Sequence, residues 1–504
     1  MPRELVGYAK LIDQFQLPVR QPHSVATIDT TVKGRRTGLQ GDAELMQFSP
    51  PYRPKATLMG NLQFALRYEG LNLEVLALLF ARTGPSEIEA TLGEKSASTF
   101  ARRLGFLYEW ITSENIKSGD ESRAAYVPVL DESMQFGRAN GPRNRKFRVT
   151  DNLPGNRQFC PLVRKTDFLR AMLGKNLKQR TADTLAKYDP HLLRRAAAFL
   201  YLKETHSSFE VEREKPSPDR AQRFADLLRE ADMGIALSEQ RFVHLQNAVL
   251  DPRFHEHAYR GRQNWVGQDL GYRKKLDFVP PRPDDVRELM AGLMAFSETI
   301  RASPASLDAV VAATMLAFGF VFIHPFMDGN GRLHRYLIHE VLSCCGLTPR
   351  GIVLPVSAVI LANLDDYVRT LEQFSKPLQA LTSYNPETPD VPAKGNDALY
   401  FRYFDATDQT SFLYRALERT VLEDLESEIG FLLGFDAAHA SLKGSLDWPA
   451  HSLDLFIRLV HQNQGSISKT KRQSHFDWMT DEEVLMSEEA VRLAFGLQNV
   501  IGGR

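Results

Sequence analysis

The longest apolar stretch of the chain, AVVAATMLAFGFVFI at residues 309 to 323, stops directly before His324-Pro325. It falls short of the roughly 18 to 20 apolar residues that a membrane span needs, so it predicts a buried core helix. Ser306 is the predicted N-cap of this helix. Because proline disfavours helical geometry at the residue before it, the helix is expected to end at about Ile323.

A second helix is expected to begin a few residues later. Gly329 and Gly331 allow backbone conformations that are barred to other residues, which favours a loop at this point. From about Asn330 the apolar residues recur at helical spacing, and Gly346 can terminate the helix. Residues 324 to 335, HPFMDGNGRLHR, therefore predict the end of one helix, a loop and the start of the next helix.

The start of this second helix is a candidate anion site. A helix N-terminus presents unpaired backbone N–H groups and the positive end of the helix dipole. Arg332 and Arg335 lie three residues apart in the first turn, and each can donate a pair of hydrogen bonds to phosphate oxygens. Cationic side chains at this end oppose the dipole by about 0.3–1 kcal/mol each, a cost that a bound polyphosphate would offset.

Two more residues of the segment supply the other parts of a transfer reaction. Asp328 is a hard oxygen ligand for Mg²⁺, which commonly binds through one carboxylate plus substrate phosphates. His324 is the nearby group that can accept a proton near neutral pH. The combination predicts phosphoryl or nucleotidyl transfer without a Walker loop, since GxxxxGK[ST] does not occur in the chain. The alternative is a structural turn between two core helices that carries surface arginines.

Residues 324 to 335 resemble the signature of the Fic family, HPFx[DE]GNGRxxR, at every specified position. The resemblance implies a mainly helical protein that transfers AMP from ATP, with Mg²⁺, to a Ser, Thr or Tyr hydroxyl of a target protein. It also implies that His324 deprotonates the attacking hydroxyl, that Phe326 anchors the loop in the core, and that Asp328 holds the metal ion.

The remaining positions of the signature are implied to bind the nucleotide. Asn330 would bind the α-phosphate together with the amides around Gly329 and Gly331. Arg332 would hold the β-phosphate, and Arg335 would hold the γ-phosphate. These roles agree with the anion site inferred from the residues themselves.

Two flanking segments resemble further parts of this family. Fic proteins carry a β-hairpin flap that aligns the target by strand addition, and GRQNWVG followed by FVPPRP at residues 278 to 283 resembles that flap. The flap residues are expected to be Gly261, Arg262, Gln263, Asn264, Trp265, Val266 and Gly267. Residues 354 to 371 resemble the helix that closes the nucleotide pocket.

Residues 205 to 213 resemble the inhibitory helix of many Fic proteins, whose pattern is [ST]xxxE[GN]. Ser208 and Glu212 have the required separation, and the glutamate is implied to pair with the second motif arginine and to block the γ-phosphate. Arg213 departs from the pattern, because glycine or asparagine is usual there. Glu210 is a rival for the inhibitory acid, and a solvated run of charges on a helix face is the alternative.

Helical periodicity dominates the 504-residue chain, so the fold class is expected to be mainly α. We expect a Fic-type helical core with a short β-hairpin flap, a helical N-terminal region and a C-terminal helix-turn-helix-like module. The predicted domains are residues 1–185, 186–382 and 398–504, with the boundary in the Pro- and Gly-containing stretch 383–397.

The composition limits the partners of the chain. Lys plus Arg and Asp plus Glu both number 62, so no overall attraction to nucleic acid or to an anionic membrane is expected. Lys469, Lys471 and Arg472 leave nucleic-acid binding open, although a protein-docking or homo-oligomer-forming module is favoured. Three cysteines and the lack of a secretory pattern predict a cytoplasmic protein with no membrane partner.

The resulting hypothesis is a protein adenylyltransferase that uses ATP, modifies a hydroxyl-bearing target protein or itself, and is inhibited in cis. One alternative keeps the site and changes the reaction, to another nucleotide or to the removal of AMP. The other alternative is a catalytically silent binding or adaptor protein.

Overall fold

The computed structural model describes residues 4–41, 43–93, 98–117, 124–388, 390–449 and 451–497. Over these residues the chain is mainly helical and carries small β-sheets, which confirms the expected fold class. No helix among them is both long enough and apolar enough to cross a bilayer.

The helices follow one another along the whole chain. They are α1 (Gly7–Phe15), α2 (Leu58–Tyr68), α3 (Leu73–Leu92), α4 (Thr99–Thr112), α5 (Asp167–Gly174), α6 (Leu177–Leu185), α7 (Pro190–Val211), α8 (Pro218–Glu230), α9 (Glu239–Val249), α10 (Pro283–Ala302), α11 (Ala309–Ile323), α12 (Asn330–Cys344), α13 (Val356–Ala362), α14 (Leu364–Gln379), α15 (Ala398–Arg402), α16 (Thr407–Arg419), α17 (Leu425–Leu442), α18 (Ser452–Gln462), α19 (Lys469–His475) and α20 (Asp481–Phe495).

The strands are short and lie mostly near the start of the chain. They are β1 (Glu4–Val6), β2 (Ser24–Ile28), β3 (Arg35–Gln40), β4 (Ala43–Phe48), β5 (Val127–Pro128), β6 (Arg143–Asn144), β7 (Val149–Thr150), β8 (Val266–Asp269) and β9 (Lys274–Phe278).

The N-terminal region, which was expected to be helical, also contains a four-stranded sheet in the order β1-β2-β4-β3. Strands β2 and β4 pair in parallel, and the other two strands pair with them antiparallel. The sequence of β3, RRTGLQ, is largely polar and contains a glycine. Such a strand lacks the alternation of apolar and polar residues that identifies a β-strand from sequence.

Helix α11 forms the centre of the largest apolar core. Every residue from Val310 to Ile323 is buried, and the helix packs against α10, α12 and α16. Asp308 caps it by accepting hydrogen bonds from the amides of Val310 and Val311. The prediction that Ser306 is the cap was therefore wrong, because the nearby carboxylate of Asp308 reaches both free amides and Ser306 lies in the turn before it.

The C-terminal helices form a second cluster of buried apolar residues, which extends from Ala438 to Val491. Helices α15 and α16 instead pack into the central cluster with α11, although they lie beyond the predicted boundary at 383–397. In the helix-turn-helix-like part, Arg472 forms an ion pair with Asp481. The domain limits and the role of this module stay predictions.

We predict that Gly319→Ala destabilises the core. A Cβ atom at Gly319 would lie 2.3 Å from Cζ of the buried Phe159 ring. Overpacking of this kind costs about 1–3 kcal/mol, which chemical denaturation would measure as a lower free energy of unfolding. The control is Gly430→Ala on the exposed face of α17, where no atom lies within 4 Å of the added Cβ. Equal stability of the two variants would contradict the packing described here.

Candidate active site

His324 occupies the C-cap of α11 with left-handed backbone angles, φ 52° and ψ 60°. Its Nδ1 atom lies 3.2 Å from the carbonyl oxygen of Val321. Because a carbonyl can only accept, Nδ1 carries the hydrogen of this bond and Nε2 is the basic nitrogen. Arg260 fixes the backbone here, since its Nε donates to the His324 carbonyl at 2.9 Å and its amide donates to Pro325.

The imidazole of His324 is uncharged at neutral pH. Burial penalises the protonated ring and lowers its pKa to about 4, and the positive charge of Arg260 acts in the same direction. A neutral imidazole is the form that can accept a proton. The predicted base is thus ready to act at pH 7.

The loop after His324 is held by side-chain amides. The side chain of Asn330 accepts from the amide of Phe326 at 3.1 Å and donates to the Phe326 carbonyl at 2.8 Å. Asn264 donates to the same carbonyl at 3.1 Å, and Phe326 itself is fully buried. The side chain of Asn330 therefore shapes the loop. Gly329, with φ +85°, turns the chain into α12.

Two residues that the sequence interpretation missed also hold this loop. Glu256 accepts a hydrogen bond from the amide of Met327 at 2.9 Å, and burial raises the pKa of its carboxyl. The guanidinium of Arg260 donates to the carbonyl of His324, at the start of the loop, and to the carbonyl of Pro281, before α10. Both residues lie more than sixty positions before the motif, and no sequence spacing links them to it.

Arg332 is buried, with 1% of its surface exposed. Its Nη2 atom lies 3.1 Å from Asp328, and its Nη1 atom lies 2.9 Å from Oε2 of Glu214. Two carboxylates therefore neutralise this guanidinium, as a charge removed from water requires.

Arg335 is equally buried and is held by the C-terminal end of α7. Its Nε atom donates to the hydroxyl of Ser208 at 2.8 Å, and its Nη2 donates to the Ser208 carbonyl at 2.6 Å. Its Nη1 donates to Oε1 of Glu212 at 2.9 Å. The structure thus brings together Ser208, Glu212 and Arg335, three residues that the sequence analysis associated.

The carboxylate of Glu212 lies against the first turn of α12. A Cβ atom added to Gly331 would lie 2.1 Å from its Oε1 atom. Burial alone would raise the pKa of Glu212, but the charge of Arg335, its hydrogen bond and the charge of Arg332 together lower the pKa. The hydrogen bond from Arg335 identifies Glu212, and not Glu210, as the acid at the arginine. The anionic side chain occupies the place predicted for phosphates.

The β-hairpin lies further along the chain than predicted. It consists of β8 and β9, so the predicted flap segment 261–267 enters it only at Val266 and Gly267. Gln263 and Asn264 are buried instead, and their amides bond to the carbonyls of Pro280 and Phe326. Gln263 thus bonds to the segment before α10 and Asn264 bonds to the loop, and the strand pairing starts only after them. Gly261, Arg262 and Trp265 lie in the same irregular segment before β8.

Asp328 fits the predicted role of a metal ligand. Its side chain is 56% exposed beside the start of α12. Among the described residues, no group of three or more His, Cys, Asp or Glu side chains forms a metal cage. A single accessible carboxylate matches Mg²⁺ bound mainly through substrate phosphates, whereas it does not match a structural zinc site.

The model of the Fic/DOC family matches residues 236–342, which include the loop and the start of α12. A Fido domain-containing protein from Dictyostelium discoideum is 36% identical over 110 residues, which are 21% of this chain and 71% of that protein. The chain belongs to the Fic/DOC family. Members of this family are typically nucleotidyltransferases.

Other relatives match over shorter parts of their length. The protein adenylyltransferase Fic of Nematostella vectensis is 36% identical over 74 residues, which are 14% of this chain and 17% of that protein. The protein adenylyltransferase fic-1 of Caenorhabditis briggsae is 29% identical over 109 residues, which are 20% of this chain and 21% of that protein. This chain thus matches only about a fifth of the length of these two relatives.

A solved structure of a Fic family protein from Desulfovibrio desulfuricans G20 is 17% identical to this chain. The alignment covers 66% of this chain and 85% of that chain, with a TM-score of 0.35.

We predict that His324 titrates near pH 4 and not near the usual 6.5, because its ring is desolvated. Nitrogen chemical shifts of ¹⁵N-labelled histidine would report both the pKa and the tautomer. The His324→Gln variant assigns the signal, since it alone loses that resonance. Titration near 6.5, or a hydrogen on Nε2 in the neutral ring, would contradict the geometry.

Proposed function

We propose that this protein transfers AMP from ATP to a hydroxyl group of a target protein, and that its own α7 helix inhibits the reaction. The observation that carries the proposal is the arrangement of a neutral His324 beside a helix N-terminus with two buried arginines. The names of the Nematostella and Caenorhabditis relatives, protein adenylyltransferases, favour AMP as the transferred group.

The chemistry follows from the positions of these groups. Nε2 of His324 takes the proton of the attacking hydroxyl, and the hydroxyl oxygen forms a bond to the α-phosphorus. The bond between the α-phosphorus and its bridging oxygen to the β-phosphorus breaks, and pyrophosphate leaves with the electron pair. The amides at the start of α12 stabilise the charge that develops on the α-phosphate oxygens.

Arg332 and Arg335 bind the leaving pyrophosphate part of ATP, the first at the β-phosphate and the second at the γ-phosphate. Asp328 is the residue that would hold Mg²⁺ against these phosphates. Bound there, the ion would neutralise phosphate charge and act as a Lewis acid.

The hairpin of β8 and β9 is the proposed docking edge for the target. All four residues of β8 are exposed, and β8 pairs only with β9 among the described strands. An extended target segment can add to such an edge through backbone hydrogen bonds. This mode of binding would select a target by its extended shape more than by its side chains.

Inhibition in cis follows from the position of Glu212. Its carboxylate holds Nη1 of Arg335, the guanidinium proposed for the γ-phosphate, and lies on Gly331. ATP and Glu212 therefore compete for the guanidinium of Arg335 and for the space beside Gly331 at the start of α12. Displacement of Glu212 would permit the productive position of the triphosphate.

We predict that the protein incorporates label from [α-³²P]ATP with Mg²⁺ into itself or into lysate proteins. Label from [γ-³²P]ATP should not be incorporated, because pyrophosphate leaves. His324→Ala should abolish incorporation, and mass spectrometry of the adduct should show AMP on a hydroxyl side chain. Incorporation of the γ-label would indicate phosphate transfer. Absence of both labels, also in the Glu212→Ala variant, would favour a binding protein.

We predict that Glu212→Ala increases the initial rate of α-label incorporation by about tenfold or more. A hydrogen bond between charged groups is worth about 1.5–3 kcal/mol, and its loss removes the competitor of the γ-phosphate. The matched control is Glu210→Ala on the same helical turn, because among the described residues Arg335 pairs with Glu212 and not with Glu210. Equal rates for the two variants would contradict inhibition by Glu212.

A further inference from the structure

A second carboxylate of the segment after α7 lies between two guanidinium groups. Oε2 of Glu214 is 2.9 Å from Nη1 of Arg332 and 2.8 Å from Nη2 of Arg220. Arg332 comes from the first turn of α12, whereas Arg220 comes from α8. One oxygen atom therefore binds two cations that different helices supply.

The backbone fixes the position of Glu214. Arg213 adopts a left-handed conformation with φ 57°, and its amide donates to the Glu210 carbonyl at 2.8 Å. The amide of Glu214 donates to the Phe209 carbonyl at 3.1 Å. This hydrogen-bond pattern is the Schellman motif that ends many helices. The motif places Glu212 and Glu214 on either side of Arg213, each against a different arginine of α12.

The two arginines share more than the carboxylate. Both donate to the carbonyl oxygen of Val249, Arg220 at 3.0 Å and Arg332 at 3.4 Å. Both also lie over the ring of Phe209, at 5.1 and 5.2 Å from its centroid. Two like charges this close repel, so the site requires an anion. Nε of Arg332 has no hydrogen-bond partner among the described residues, although the side chain is buried.

We propose that Arg220 and Arg332 form a two-guanidinium site for the diphosphate part of a nucleotide, and that Glu214 occupies this site in the inhibited protein. The inference rests on the proposed function and extends it to a residue outside the motif. Glu214 holds the place of a phosphate oxygen. Its side chain is 35% exposed and can turn into solvent, whereas the Arg220 and Arg332 side chains are 18% and 2% exposed.

Phosphate suits this site better than a single carboxylate does. A phosphate group offers three acceptor oxygens and more negative charge, so it can accept hydrogen bonds from both guanidiniums together. On this proposal the protein has two inhibitory carboxylates. Glu212 binds Arg335, and Glu214 binds the pair Arg220 and Arg332.

The test measures binding without turnover, by calorimetry with Mg²⁺ in the full-length His324→Ala protein. The ligands are AMP, ADP and inorganic pyrophosphate, and the variants are Glu214→Ala, Arg220→Gln and the two combined. The control is Arg223→Gln, since Arg223 also joins α8 to carbonyls at the C-terminal end of α9 but bonds to neither Glu214 nor Arg332 among the described contacts. Thermal unfolding checks that each variant is folded.

We expect Glu214→Ala to tighten ADP and pyrophosphate binding by about tenfold and to leave AMP binding unchanged, because AMP has no β-phosphate. Arg220→Gln in the Glu214→Ala protein should reverse this gain, and Arg223→Gln should not. The inference would be overturned if Arg220→Gln left the affinity for ADP unchanged. It would also be overturned if the substitution weakened ADP and AMP binding equally. Pyrophosphate binding that depends on Arg220, without binding of any nucleotide, would support the anion site and contradict the proposed function.

Discussion

The structure around the loop depends on two buried guanidiniums that must be neutralised. Arg332 and Arg335 are each 1% exposed, and they lie at the positive end of α12. The end of α7 and the residues after it supply the anions, Glu212 and Glu214. Burial of the arginines thus explains why the end of α7 is held against the loop.

The same interaction links stability to function. With the carboxylates in place the arginines are satisfied and unavailable, so the site is stable and closed. In the proposed nucleotide complex the phosphates would satisfy the arginines instead, and the end of α7 would be released. The buried arginines thus need an anion, which on this proposal comes from either the carboxylates or the nucleotide. With the carboxylates in place, burial lowers the pKa of His324 to about 4 and keeps its imidazole neutral at pH 7.

The helix, loop and helix of the motif could be predicted from sequence, since the long apolar stretch, His324-Pro325 and the glycines are strong local signals. The pairing of Glu212 with Arg335 was also expected. The rest depends on contacts distant in sequence. Arg220 and Glu256 reach the site only through tertiary packing. The hairpin was misplaced because Gln263 and Asn264, which look like strand residues, bond to loop carbonyls. Strand β3 was not predicted because its largely polar sequence lacks the alternation of apolar and polar residues that indicates a β-strand.

We propose that the carboxylates at the end of α7 and the triphosphate of ATP bind to the same arginines in alternation. Hydrogen–deuterium exchange of the wild-type protein, with and without saturating ATP and Mg²⁺, tests it most directly. With ATP we predict slower amide exchange in residues 329–335, where the phosphates are proposed to bind, together with faster amide exchange in residues 208–214. Protection of residues 329–335 without any change at 208–214 would contradict it, because the nucleotide would then be bound with both carboxylates still in place.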